Sequence, residues 1–168
     1  CIMDSFAQTC VTFTSQNLGA GKLDRVKKGV NIGILLAMTG TLIIVIPLMC
    51  FSDTMLKLFN SDPEVLRYGR MFVLYMSPFY IPYCATQIYS GALRGAGDSL
   101  SPMIVTIASF VVFRQLYLLI GTQFISSPLF VGLSYPAGWI VSTITLFIIY
   151  RSGRWEKKLP AHVHMQAA

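Results

Sequence analysis

Polar and apolar residues fall into separate blocks along this chain. Four runs are almost continuously apolar: Val30 to Phe51, Met71 to Leu93, Met103 to Phe124 and Pro128 to Tyr150, with lengths of 22, 23, 22 and 23 residues. At about 1.5 Å rise per residue each would form a helix of about 33 Å, enough to cross a hydrocarbon layer about 30 Å thick. Only the third run carries a formal charge, Arg114. Ahead of them, CIMDSFAQTCVTFTSQNLG is semi-polar and reads as the later part of a further helix, 1–18. The prediction is an all-α, polytopic transmembrane helical bundle over residues 1–158, with four complete spans and a partial N-terminal one, followed by a polar tail, 159–168. A chain that begins with Cys1 inside a helix is expected to be a piece of a longer protein.

The connections carry their own signals. In the segment 52–70, Met55, Leu58 and Phe59 share an apolar face. Ser61 or Asp62 then caps a helix whose first turn holds Pro63 and Glu64. This segment is expected to pack at the membrane surface. Two other connections are short and repeat a triplet: Gly19-Ala20-Gly21 and, 76 residues later, Gly95-Ala96-Gly97. Gly91 and Gly95 form a small-xxx-small pair that lets helix backbones approach closely, and Gly29, Gly33 and Ala37 make a similar stripe. Gly19, Gly21, Gly95 and Gly97 thus read as elbows between helices. A phosphate-binding reading of GALRGAGDSLSP fails, because no lysine follows the glycines and Asp98 stands where it would repel phosphate.

Composition agrees with the blocks. The chain is 54% hydrophobic and 12% charged, against about 25% charged in soluble domains. The basic residues are unevenly placed. Nine of thirteen lie in segments on one predicted side: Lys22, Arg25, Lys27 and Lys28, then Arg94, then Arg151, Arg154, Lys157 and Lys158. The other side holds Lys57, Arg67 and Arg70. By the positive-inside rule the elbows and the C-terminus are cytoplasmic, in a plasma (inner) membrane. The net charge of +6 is then a topology signal and not a nucleic-acid patch. Cys1, Cys10, Cys50 and Cys84 have neither redox nor zinc spacing, and His162 and His164 are too few for a metal site. No acid, base and nucleophile constellation suggests an enzyme, and no cofactor is implied.

Polar side chains inside spans mark the candidate pathway, since they turn toward the bundle interior or a water-filled cavity. On the first helix Asp4, Gln8, Thr12 and Ser15 lie within an arc of about 80° at helical spacing. On the run from Met71, Tyr80, Tyr83, Gln87, Ser90 and Arg94 share a similar arc. Pro78 and Pro82 interrupt that helix, each removing a backbone donor, and make it a bending element beside tyrosines whose faces suit organic cations. Arg114, mid-span, costs about 2.5–3.5 kcal/mol to insert. It needs a partner: Asp4, carbonyls freed around Pro78 and Pro82, or an acid elsewhere.

SQNLGAGKLDRVKKG at 15–29 and GALRGAGDSLSPM at 91–103 resemble segments of the MATE (multidrug and toxic compound extrusion) transporters. An Arg in the next span, a last helix with YPAGW and a basic tail with Trp155 follow in the same order. The resemblance runs over roughly residues 5–158. It implies helices eight (part) to twelve of a twelve-helix transporter, most of its second six-helix bundle, partnered by the N-terminal half and the lipid bilayer. It also implies a secondary antiporter exporting organic, often cationic, drugs in exchange for H+ or Na+ by alternating access. Arg114 becomes a structural tie between helices. Some sodium-coupled branches of the family carry an acid three positions before a glutamine that Gln87 resembles. Cys84 stands there instead, which leaves the coupling ion open. The alternatives are a lipid-linked oligosaccharide flippase of the same superfamily and a non-transporting membrane scaffold.

Overall fold

A computed structural model of the chain describes residues 2–59, 62–121, 123 and 128–156. Cys1, Ser61, Lys157, Lys158 and the tail 159–168 with its two histidines lie outside the described residues. Every regular element among the described residues is helical. In chain order these are α1 (Ile2–Gly19), α2 (Leu23–Cys50), α3 (Ser52–Lys57), α4 (Pro63–Met76), α5 (Tyr80–Gly95), α6 (Leu100–Ile107), α7 (Arg114–Gly121) and α8 (Pro128–Arg151).

Three helical stretches are long and apolar enough to cross a membrane: Leu23–Cys50, Leu100–Gly121 and Pro128–Arg151. Two depart from the sequence prediction in more than a terminal residue. The first begins at Leu23 because the basic segment before Val30 is itself helical, with Asp24 in its first turn. The second contains a π turn, Ala108–Phe113, between α6 and α7. The remaining predicted span, Met71 to Leu93, is divided. Its helix begins earlier, at Pro63, where the Asp62 carboxylate accepts the Glu64 amide at 2.8 Å as the expected cap. It then breaks at a 3-10 turn, Ser77–Phe79, and resumes as α5. There is one break and not two. Pro78 sits within it, whereas Pro82 lies in the first turn of α5, where a missing amide disturbs no bond of the preceding turn.

The helices run alternately up and down. The α1 and α5 axes run in the same direction, since Asp4 meets Gln87 and Val11 meets Gly95. Helix α2 runs opposite, bringing Thr41 to Cys84 and Gly33 to Ile88. Helix α8 runs with α5, and α6–α7 runs opposite to α8. Both elbows and the end of α8 are therefore at one end of the bundle. There Lys27 pairs with Glu156 at 3.0 Å. Trp155 is buried, stacked on Tyr150, with its indole N–H donating to the Tyr150 carbonyl at 2.9 Å.

The apolar core lies at this elbow end. Val26, Val30, Ile88, Leu93, Leu146 and Trp155 are fully covered. Close approach of α5 to α1 makes it possible. A Cβ on Gly91 would lie 2.6 Å from the Ala7 carbonyl oxygen, and one on Gly95 2.6 Å from that of Val11. The small-xxx-small pair is a backbone-on-backbone contact. In each elbow only the second glycine needs its freedom: φ is +69° at Gly21 and +87° at Gly97. Asp98, buried, accepts from the Ser101 hydroxyl at 2.7 Å in the first turn of α6. Outward, α2 and α6–α7 expose rows of large apolar residues such as Leu35, Ile43, Ile104 and Leu119, the surface expected against lipid.

Candidate transport site on the broken helix

Away from the elbows the bundle opens, and the predicted pathway residues lie there. The start of α5 places Tyr80 and Tyr83 one turn apart, just after the 3-10 break. Gln87, one turn on, donates from Nε2 to Asp4 Oδ1 at 2.9 Å and reaches the Tyr83 hydroxyl at 3.2 Å. The two arcs read separately on α1 and α5 thus meet in one hydrogen-bonded set. The amide joins the carboxylate and the phenol by hydrogen bonds, and those two line a cavity of about 400 Å³. Its other walls come from Met3, Thr41, Val45 and Leu48. Asp4 is exposed within this chain, and so are Gln8, Thr12 and Ser15. The Thr12 hydroxyl donates to the Gln8 carbonyl and that of Ser15 to the Thr12 carbonyl, at 3.2 and 3.0 Å. Bonded to their own helix, these hydroxyls leave the α1 stripe a wettable face. Gln8 belongs to that face but does not reach the Tyr83–Gln87 set in any bond observed among the described residues.

Cys84, at the position read as a lost acid, is fully buried. Its sulfur lies 2.9 Å from the Thr41 hydroxyl of α2. The thiol ties α5 to α2.

A second cavity, of about 390 Å³, lies on the other side of α5. Tyr80 and Tyr83 wall both. Trp139 of α8 stacks obliquely on the two tyrosines, with centroids 5.3 and 5.2 Å apart. Sequence reasoning missed Trp139, since an aromatic residue inside an apolar run looks like any packing residue. Thr143, one turn further, holds the base of this wall. Its hydroxyl lies 2.8 Å from the Pro82 carbonyl, 2.7 Å from that of Trp139 and 2.7 Å from the Thr86 hydroxyl. It can donate to one carbonyl while accepting from Thr86.

Arg114 opens α7 and points into this second cavity. Its guanidinium carbon lies 3.8 Å over the Tyr135 ring, and its Nε is buried without a hydrogen-bond partner. Among the described residues no carboxylate pairs with it. Asp4 bonds Gln87, and the Pro78 carbonyl, left by the missing Pro82 amide, accepts from the Tyr80 amide. Neither partner within this chain anticipated for Arg114 is the one found. The approach of α6–α7 to α8 depends on Gly138, where a Cβ would come 3.2 Å from the Ser109 carbonyl of the π turn.

Comparison with known proteins gives the family. A family model described as MatE matches residues 2–119. A probable multidrug resistance protein NorM of Thermotoga maritima is 24% identical over 148 residues, covering 88% of this chain and 32% of that protein. A probable multidrug resistance protein YoeA of Bacillus subtilis is 27% identical over 147 residues, covering 87% and 32%. An FAD transporter of Shewanella oneidensis is 24% identical over 111 residues, covering 66% and 25%. The chain thus spans about a third or less of the length of these relatives. With apolar membrane helices, a broken polar helix at their centre and a family match over most of its length, the chain belongs to the MatE family of membrane transporters.

Proposed function

We propose that this chain is the C-terminal part of a secondary antiporter that exports organic, often cationic, compounds in exchange for H+ or Na+. The observation that carries the reading is the hydrogen-bonded Asp4–Gln87–Tyr83 set, whose Asp4 and Tyr83 line the 400 Å³ cavity, near the break at Ser77–Phe79. A carboxylate with tyrosine faces is a site for a cation carrying apolar bulk. A helix broken at that site can change direction as the cavity opens and closes. Helix count and the order of the elbows support a place in the second six-helix bundle. The seven described basic residues at the elbow end, Lys22, Arg25, Lys27, Lys28, Arg94, Arg151 and Arg154, support a cytoplasmic position for it. Cargo other than drugs lies within the family's range, as the relative named an FAD transporter indicates.

The lipid-linked oligosaccharide flippase reading is disfavoured because Arg114 is the only base in the middle of a span, too little to hold a pyrophosphate. A static scaffold has no use for a wettable stripe joined to a broken helix.

The test is efflux of a fluorescent organic cation from cells lacking their own pumps, expressing the full-length transporter with either native Asp4 and Gln87 or Asp4→Asn and Gln87→Leu. Native protein lowers dye accumulation only while an H+ or Na+ gradient stands, and either variant loses most of that difference. Equal accumulation with and without the native protein, for every dye and both gradients, refutes the reading.

A further inference from the structure

The two cavities flanking α5 carry opposite charge: Asp4 edges one and Arg114 enters the other. We propose that the Arg114 cavity is a separate binding site for a small aromatic carboxylate, distinct from the cation site at Asp4.

Three observations support this. Arg114 is a permanent cation whose Nε is buried with no partner among the described residues. Among the described residues no carboxylate meets the guanidinium, and a planar carboxylate matches its two terminal donors. The walls are aromatic, with Tyr80, Tyr83, Phe110, Tyr135 and Trp139 around the space. The Tyr135 ring already supports the guanidinium from one face at 3.8 Å, fixing the plane in which donors are offered. The space of about 390 Å³ lies in the range of small-molecule sites. One aspartate or glutamate side chain from elsewhere in the transporter would occupy only part of it.

The cavity is also built by an irregularity. The π turn Ala108–Phe113 directly precedes Arg114 and carries Ser109 and Phe110 into the wall, against Gly138. One extra residue in a turn rotates everything after it, and such turns recur at binding sites. Here it sets the direction in which Arg114 leaves its helix. An organic cation has no place beside this guanidinium, which sets this site apart from the cation site at Asp4.

The experiment is calorimetric titration of the purified full-length transporter with 2-naphthoate, its neutral amide 2-naphthamide, and 2-naphthylmethylammonium. The site predicts naphthoate binding at least tenfold tighter than the amide. Arg114→Gln brings the two within threefold, and Arg114→Lys, which keeps charge but loses the fork, falls between. Equal affinity for naphthoate and the amide in the native protein overturns the proposal, as does a preference that survives Arg114→Gln. Should Arg114→Gln fail to fold, the native charge series decides alone. Dye efflux measured on the same native protein separates the two readings. Absent efflux with intact naphthoate preference removes only the cation-export reading, and normal efflux without the preference removes only this site.

Discussion

Alanine at Gly95 would place a methyl carbon 2.6 Å from the Val11 carbonyl oxygen and 2.8 Å from Thr14 Cβ, where ordinary contact begins at 3.4 Å. The obstacle is backbone, which cannot swing aside as a side-chain tip can, so α1 and α5 must separate along their closest line. Overpacking of this kind costs about 1–3 kcal/mol. Gly19 is the matched control. It is also the first glycine of a GAG triplet and the last residue of its helix, yet nothing lies within 4 Å of its would-be Cβ. The gain in helix propensity from glycine to alanine, at most about 1 kcal/mol, is common to both and cancels in the comparison. Reversible unfolding of the full-length transporter in dodecyl sulfate, followed by circular dichroism, measures the difference. Gly95→Ala is expected to be less stable than Gly19→Ala by about 1–3 kcal/mol. Two variants within about 0.5 kcal/mol of each other, the scatter of ordinary surface changes, would refute the reasoning that the α1–α5 contact is backbone to backbone.

Trp155→Ala empties a fully buried site at the elbow end and is expected to cost about 3–5 kcal/mol in the same unfolding assay. Lys27→Ala breaks only a half-exposed ion pair and should cost less than about 1 kcal/mol. Thr143→Val removes the hydroxyl between Pro82, Trp139 and Thr86. The expected loss is about 0.6–1.7 kcal/mol, the range for hydrogen bonds between membrane helices, and a loss above that range would mean the wall of the second cavity collapses. Pro78→Ala lets the 3-10 turn anneal into a continuous helix and should slow dye export several-fold, whereas Pro82→Ala, within the first turn of α5, should leave the export rate within twofold.

The sequence carried the architecture unevenly, for physical reasons that differ from element to element. Apolar runs long enough to cross a membrane were legible because the bilayer fixes both length and composition. The Asp62 cap and the Pro63 start were legible because they are local. The meeting of Asp4 and Gln87, 83 positions apart, was foreshadowed only as two separate arcs. Periodicity reports which face is polar but not which faces meet. The π turn left no trace, since ASFVVF is as apolar in a π turn as in an α-helix. The two GAG triplets looked equivalent, yet Gly95 is crowded by α1 while Gly19 is open. That difference depends on the neighbouring helix and not on the motif.

Helix α5 joins two regions with opposite mechanical character. Its last turns, from Ile88 to Gly95, are held against α1 by glycine contacts and against α2 and α8 by the buried core. Its first turns follow a break and meet their neighbours through side-chain hydrogen bonds and tilted aromatic pairs. Close-packed backbone contacts have one good geometry, whereas hydrogen bonds and aromatic edges have several of similar energy. Any bending of the helix therefore concentrates at Ser77–Phe79 and displaces Tyr80 and Tyr83 first. Because those two rings wall both cavities, a displacement that enlarges one must reshape the other. Occupants of the Asp4 and Arg114 sites would then affect each other through the tyrosines alone, with no direct contact. Naphthoate that alters the dye affinity of the native protein but not that of Tyr80→Ala or Tyr83→Ala would be the signature of this coupling. Linkage requires the dye to shift naphthoate affinity by the same factor.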